Sequence, residues 1–370
     1  MEKYLNIASK FEISGTVTEI KPLGPGFIND TFIVKTAEGP KYILQRKNHV
    51  VFPDVPGMMN NILMVTEHIK AKVAAAGGDP MREVLTVVKR NAGTLTAEET
   101  AQPYCDLYYK DADGNFWAVC DFIEGSITYE KADTPALAFK GGQGIGKFQA
   151  QLADFTTQLS ETIKGFHNIR WRFQQWEEAV TADAADRVKD LAEEIGWIES
   201  RKEEMLGFWS LVENGTIPTR VTHNDTKISN ILFDAAGEVL CVIDLDTCMS
   251  STSLNDFGDA IRSYTNTGAE DERDLGKVNM SLEMFKAYAE GYLSERKETL
   301  CESELEWLAF SARYITFEQV LRFLMDYIDG DKYYRINAPD HNLVRTHAQY
   351  KLLCSMEEQY DAMKEIIKNA

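Results

Sequence analysis

Apolar residues recur with two different periods along this 370-residue chain, and the change from one to the other falls near Gly125. In the first third, alternating apolar and polar positions predict strands over Glu12–Lys21, Thr31–Thr36, Tyr42–Arg46, Val84–Val88, Tyr104–Tyr109 and Phe116–Phe122, because residues two apart share one face of a strand. Turn residues at Glu38–Pro40 and Asp111–Asn115 separate them. Residues 1–10 read as a short helix, and Met58–Ala75 as a longer one with Ile62, Val65, Ile69 and Val73 at helical spacing. Beyond Gly125 the helical period dominates, over Ile163–Gln175, Trp176–Ile195, Glu199–Asn214, Trp307–Asp329 and Thr346–Ile367. The pattern predicts an α+β chain in two parts: residues 1–123, built on an antiparallel sheet, and residues 124–370, mostly helical.

One stretch of the helical part breaks the pattern. Arg220–Asp246 places His223 and Asp225 after a short apolar run, Asn230 five positions beyond that aspartate, and Asp244 at the end of a second apolar run, Val239–Ile243. A turn at Asp234–Gly237 joins the runs, so the stretch reads as loop, strand, turn, strand. Phosphoryl transfer from ATP asks for this inventory. The transferred group spreads charge over its oxygens, so one carboxylate takes the acceptor hydroxyl's proton while an Asn and a second Asp hold Mg2+ against the phosphates. Asp225 fits the first role, and Asn230 and Asp244 fit the metal roles. Protein kinases space the same groups as HRDxxxxN followed by a metal-binding aspartate; here the run is His223-Asn224-Asp225 with Asn230 and then Asp244.

Upstream, Gly24 and Gly26 flank Pro25 between two predicted strands. A loop without Cβ atoms lets backbone N–H groups approach phosphates, so Gly24 and Gly26 are candidate nucleotide contacts. Gln45, Arg46 and Lys47 stand where protein kinases place a phosphate-binding strand lysine. Arg46 is carried as the basic contact, although alternation alone leaves open which of the three points inward. Phe122 and Ile123 end the last predicted strand, where a two-lobed kinase would pair its hinge with adenine. Gly141–Phe148 nearly spells a phosphate-binding P-loop, but no strand precedes it and Phe148 holds the place of the required hydroxyl. It reads instead as the small-residue start of a helix. Asp256-Phe257-Gly258 lies too far beyond Asp225 to be the metal motif, and Asp256 reads as a helix N-cap or a buried structural carboxylate. His167 is isolated, which favours a core or surface role.

Composition narrows the partners. The formal net charge of −19 argues against nucleic acid, whose phosphates are bound by basic surfaces. A hydrophobic content of 44% supports a sizeable core, and the length favours two lobes around a cleft. The six cysteines show no metal-ligand spacing, as expected of thiols in a reducing cytoplasm. The N-terminal stretch lacks a signal-peptide apolar region, and no apolar run reaches the ~20 residues of a membrane span. A cytoplasmic protein without membrane or nucleic-acid partners is expected. Oligomeric state is not legible.

The hairpin also resembles the catalytic motif of the aminoglycoside phosphotransferase and choline kinase superfamily. THNDTKISNILFD, CVIDLDTCM, NDFGDAIR, GFINDTF, YILQRKN, RFLMDYIDGDKYY and HNLVRTHAQYKL together resemble the bacterial N-acetylhexosamine 1-kinases, from about residue 5 to 360. That resemblance implies a two-lobed, protein-kinase-like fold with an antiparallel-sheet N-lobe and a mostly helical C-lobe. It implies transfer of the γ-phosphate of ATP to the anomeric hydroxyl of GlcNAc or GalNAc, with Asp225 as base and Asn230 and Asp244 as Mg2+ ligands. It further implies a sugar pocket bordered by Phe27, Asp246, Thr247, Arg262, Arg322 and Tyr333. The family often has a histidine at the position held here by Phe27. The alternatives are kinases of other small alcohols, such as an aminoglycoside, choline, ethanolamine or homoserine.

Overall fold

A computed structural model describes residues 2–24 and 28–370. The chain forms two compact units. The first takes in the chain up to Thr128 together with Asp154–Lys164 and Ile231–Ser250, and the second holds Tyr129–Ala153, Gly165–Asn230 and Ser251–Ala370. One boundary between the units falls between Asn230 and Ile231.

The first unit is built on an antiparallel sheet of six strands, in the order Val17–Pro22, Asp30–Thr36, Lys41–Lys47, Phe116–Asp121, Val87–Val88, with Tyr109–Lys110 also paired to Phe116–Asp121. Alternation works as expected along the central strands. Phe32, Val34, Tyr42, Leu44, Trp117 and Val119 turn to one face and meet Ile7 and Ala8 of the helix Glu2–Ala8. The other face carries Gln45 and Lys47. Two expected strands are largely lost: of Val84–Val88 only Val87 and Val88 pair, and of Tyr104–Tyr109 only Tyr109 does, with Lys110 after it. Tyr104 takes a left-handed φ of 54°, which no extended strand accommodates.

The helix expected from Met58 starts earlier, at Val55, because Asp54 caps it by accepting from the Gly57 N–H at 3.0 Å. Inside that helix, buried Asn61 donates to the carbonyls of Ser160 (2.8 Å) and Cys248 (3.0 Å) and accepts from the Ser160 N–H (3.0 Å). One amide thus ties both distant segments to the first unit. The hairpin pairs Ile231–Phe233 with Val239–Val242, and Asp234 Oδ1 closes its turn by accepting from the N–H groups of Ala236 and Glu238.

The second unit is helical. Its long helix, Glu302–Ile328, is buried along most of its length. The glycines of the apparent P-loop lie inside the helix Pro135–Gln151, where a Cβ on Gly142 or Gly146 would collide with the backbone of Tyr288 and Tyr292. They allow close packing against Leu282–Arg296, and they lie in the middle of the helix rather than at its start as expected. The helix expected over Trp176–Ile195 is interrupted: Ile169–Ala182 ends at Asp183, whose φ is 41° and whose carboxylate accepts from the N–H groups of Arg187 and Val188. No helix among the described residues is long and apolar enough to cross a membrane.

Candidate active site

In the second unit the strand Arg220–Thr222 delivers the chain into a loop held from behind by two buried carboxylates. Asp256 has no solvent exposure and accepts from the N–H groups of His223 (2.9 Å) and Asn224 (2.7 Å) and from Gln149 Nε2 (2.7 Å). Gln149 in turn accepts from the Tyr292 hydroxyl. Asp259, one turn later on the helix Leu254–Tyr264, accepts from the Thr226 N–H (2.9 Å) and hydroxyl (3.2 Å). The two clamps grip the chain on either side of Asp225. Asn224 between them adopts φ 65°, a left-handed conformation such anchors make tolerable. Burial drives the Asp256 carboxyl's pKa up despite its donors, so the anchor carries an electrostatic cost.

Asp225 reaches solvent, its side chain 31% exposed and that of its neighbour Lys227 40% exposed. Its Oδ2 accepts from Lys227 Nζ at 2.8 Å and from Asn230 Nδ2 at 3.0 Å, and Asn230 Nδ2 also bonds the Asp225 carbonyl. Oδ1 has no protein donor among the described residues. Its surroundings by themselves would raise the carboxyl's pKa, but the Lys227 ammonium, His223 and the Asn230 amide outweigh that and hold it below the usual range. The arrangement supplies an ionised carboxylate with one oxygen braced and the other open to a hydroxyl. With its nitrogen committed to Asp225, Asn230 offers Oδ1 as an oxygen donor, the hard ligand Mg2+ takes.

In the first unit, Asp244 ends the hairpin in an exposed position with φ 61°. It is a second oxygen donor, and its chemistry too suits Mg2+. Two residues on, buried Asp246 accepts from Lys47 Nζ (2.7 Å) through Oδ1 and from Asn29 Nδ2 (2.7 Å) through Oδ2. Lys47 also donates to Gln45 Oε1 at 2.7 Å. Thr247 follows, 7% exposed.

The structure thus distributes the expected residues unevenly. Arg46, the expected basic contact, lies on the exposed side and pairs with Asp30, its cross-strand neighbour. Lys47 is the cation turned inward, since it shares its face with Gln45 and not with core-facing Leu44. Gly24 is exposed at φ 69°, while Gly26 and Phe27 lie outside the described residues. The Phe122 N–H bonds the Lys41 carbonyl (3.1 Å), and Ile123 packs with Leu232 and Cys241. Arg262 is held by Glu270 (2.9 Å) and Asp259 (3.4 Å), one bond removed from the catalytic loop. Arg322 and Tyr333 do come together, with the guanidinium carbon 5.7 Å from the ring centre. Sequence reasoning left Lys47 undecided beside Arg46, and it missed Lys227, Asp259 and Gln149. The cation two residues after Asp225 was a readable local signal for Lys227; Gln149 had none.

A model of the phosphotransferase enzyme family, APH, matches residues 19–292. Among solved structures, the microcompartment-associated aminopropanol kinase is similar at a TM-score of 0.60 and 17% sequence identity, with 98% of each chain covered. An amicoumacin kinase in complex with AMP-PNP and Ca2+ is similar at 0.55 and 13% identity, covering 100% of this chain and 93% of that one. Choline kinase from Cryptosporidium parvum Iowa II is similar at 0.57 and 14% identity, covering 100% and 98%. At these identities the likeness is one of kinase-like fold.

Proposed function

Because this chain belongs to the phosphotransferase enzyme family, we propose that it transfers the γ-phosphoryl group of ATP to the anomeric hydroxyl of an N-acetylhexosamine, GlcNAc or GalNAc, giving the sugar 1-phosphate. The observation that carries the phosphotransfer is Asp225: ionised, steadied through Oδ2 by Lys227 and Asn230, and open at Oδ1. In this role Oδ1 accepts the hydroxyl's proton as the oxygen attacks phosphorus, and the lowered pKa makes orientation its larger contribution. Mg2+ bound by Asn230 and Asp244 would neutralise phosphate charge. Gly24, Gly26, Phe122 and Ile123 are assigned to the nucleotide, with Lys47 preferred to Arg46 because it points inward. The bound AMP-PNP of the amicoumacin kinase supports ATP as donor.

On the sugar side, Phe27, Thr247, Arg262, Arg322 and Tyr333 remain assigned to the pocket, and Asp246 acts through Lys47. A free hexose is neutral and rich in hydroxyls, and Arg322 beside Tyr333 suits it with a hydrogen-bonding fork and an aromatic wall. The same guanidinium disfavours a cation such as choline. The competing reading is a kinase of another small alcohol, supported by the aminopropanol and choline kinases of similar fold. An ATP-consumption assay across GlcNAc, GalNAc, choline, homoserine and kanamycin separates the two, and preferred turnover of choline or kanamycin removes the sugar assignment. Phosphorus coupling to H1 in the product's proton spectrum distinguishes the 1-phosphate from the 6-phosphate.

A further inference from the structure

Of the two carboxylates that hold the catalytic loop, Asp259 divides its oxygens between two tasks. Oδ2 takes the Thr226 N–H at 2.9 Å, and Oδ1 faces Arg262 Nη2 at 3.4 Å. Arg262 stands three positions on along the helix Leu254–Tyr264, so the two side chains are neighbours on its surface. Arg262 Nη1 donates to Glu270 Oε2 at 2.9 Å and to Gln349 Oε1 at 3.4 Å. Burial opposes the charge on Arg262, but Asp259 and Glu270 outweigh it and hold the guanidinium's pKa above its ordinary value. The contacts therefore run from Glu270 to Arg262, to Asp259 and to Thr226, which follows Asp225 directly in the chain. All of these residues lie in the second unit.

Glu270 is the exposed end of this series, and the segment that carries it is fastened. Residues 265–281 join the helices Leu254–Tyr264 and Leu282–Arg296. Asn266 pairs with Met280 across the base of the segment, and the Thr267 N–H donates to the Asn279 carbonyl at 3.0 Å. Asp271 Oδ2 meets His341 Nε2 at 2.9 Å. The Asn337 N–H donates to His341 Nδ1 (3.1 Å), so in the neutral ring Nε2 carries the proton that faces Asp271. Arg273 forks onto both oxygens of Asp340, at 2.8 and 2.9 Å. Glu270, Asp271 and Arg273 thus each have a partner outside the segment.

Asp259 needs such a cation. Asp256 lies three positions before it on the same helix and grips the same loop, and like charges at that spacing repel. Among the described residues Arg262 is the cation paired with Asp259. A reacting carboxylate tolerates little displacement, since an error of about 1 Å can cost up to about a hundredfold in rate. Thr226 is where such an error would enter, because its N–H is the first backbone donor after Asp225 and Asp259 is what receives it.

We propose that Arg262 and Glu270 are positioning residues for phosphoryl transfer: Glu270 holds Arg262, and Arg262 holds Asp259 to the Thr226 N–H, which fixes the backbone that carries Asp225. The inference rests on Asp225 as the reacting carboxylate and on no particular acceptor, and it gives Arg262 a task besides any contact with the sugar. The test uses the full chain with ATP and whichever alcohol of the panel the wild type turns over fastest. It compares Arg262→Met, Arg262→Lys, Glu270→Gln and Asp225→Asn by steady-state kinetics and by hydrogen exchange of the Thr226 amide. Arg262→Met should lower kcat about tenfold with both KM values within about twofold. It should also speed exchange at Thr226 about tenfold while the helix Glu302–Ile328 keeps its wild-type protection. Arg262→Lys restores the charge without the fork and should recover part of kcat. Glu270→Gln should show the same pattern at about twofold to threefold, because its pair is the exposed one. Should Arg262→Met fail to fold, Arg262→Lys and Glu270→Gln carry the same comparison. A raised acceptor KM at unchanged kcat makes Arg262 a substrate contact only. Wild-type exchange at Thr226 in every Arg262 and Glu270 variant, or protection lost at Thr226 and Glu302–Ile328 together, makes the series merely structural. Each of these results overturns this inference alone, whereas full turnover by Asp225→Asn overturns the reading beneath it.

Discussion

Each unit contains a lysine and an asparagine that donate to one aspartate, and the two sets differ in burial and in which oxygens they use. In the first, Lys47 and Asn29 each bond one oxygen of Asp246 at 2.7 Å, and the paired lysine and aspartate side chains are 4% and 5% exposed. In the second, Lys227 and Asn230 bond a single oxygen of Asp225 at 2.8 and 3.0 Å, and the paired side chains are 40% and 31% exposed. The chemical groups are identical. Burial and the sharing of oxygens separate them: Asp246 has a donor on each oxygen and acts as a strut, whereas Asp225 has both donors on one oxygen. Removing a partner from a buried pair leaves an uncompensated charge, while an exposed pair loses little.

The contrast breaks most visibly at Lys47. Lys47→Met should lower unfolding stability by roughly 3–5 kcal/mol, as for other buried pairs deprived of one member, and denaturant titration with and without the change measures it. A loss below about 1 kcal/mol would place Asp246 in the same class as Asp225. Asp225→Asn should lower kcat by at least about a hundredfold, the contribution expected of a general base, with ATP affinity by calorimetry nearly unchanged. Undiminished turnover would show that the open oxygen is not the reactive one.

Lys227→Met sharpens the comparison with the smallest effect. Stability should change by under about 1 kcal/mol, but the acid limb of the kcat profile should move to higher pH, because the cation that outweighs the pKa-raising effect of the surroundings is gone. The sign for stability follows: a depressed folded-state pKa means that Asp225 stabilises the fold above its unfolded value, near pH 3.9, and that this is lost as pH falls through the folded value. The wild-type advantage over Lys227→Met in thermal midpoint should therefore shrink on acidification below about pH 4.

Much of this was readable before any coordinates. Alternation puts Tyr42 and Leu44 on one face with Arg46 without saying which face is buried, Asp234–Gly237 reads as a turn, and the glycines at 141–146 lack the strand and hydroxyl a P-loop requires. These are local properties, decided by neighbours a few residues away. Only the structure separates Lys47 from Arg46: Lys47 is buried beside Gln45, while Arg46 is exposed and pairs across the strands with Asp30. The strand expected over Tyr104–Tyr109 misled because apolar content there serves packing, with Leu107 1% and Tyr108 8% exposed, in a backbone that turns.

The sequence by itself determined the catalytic loop's inventory, because the order and spacing of Asp225, Asn230 and Asp244 are covalent facts that any fold must respect. Only the tertiary structure decided which carboxylate is braced and which is open, since that depends on groups far along the chain. Asp256 and Asp259 reach the loop from a helix some thirty residues later, Gln149 arrives from well before it, and Lys47 meets Asp246 across 199 positions. Burial is a property of that assembled neighbourhood, and it encloses one lysine–aspartate–asparagine set while the other keeps its lysine and aspartate partly exposed.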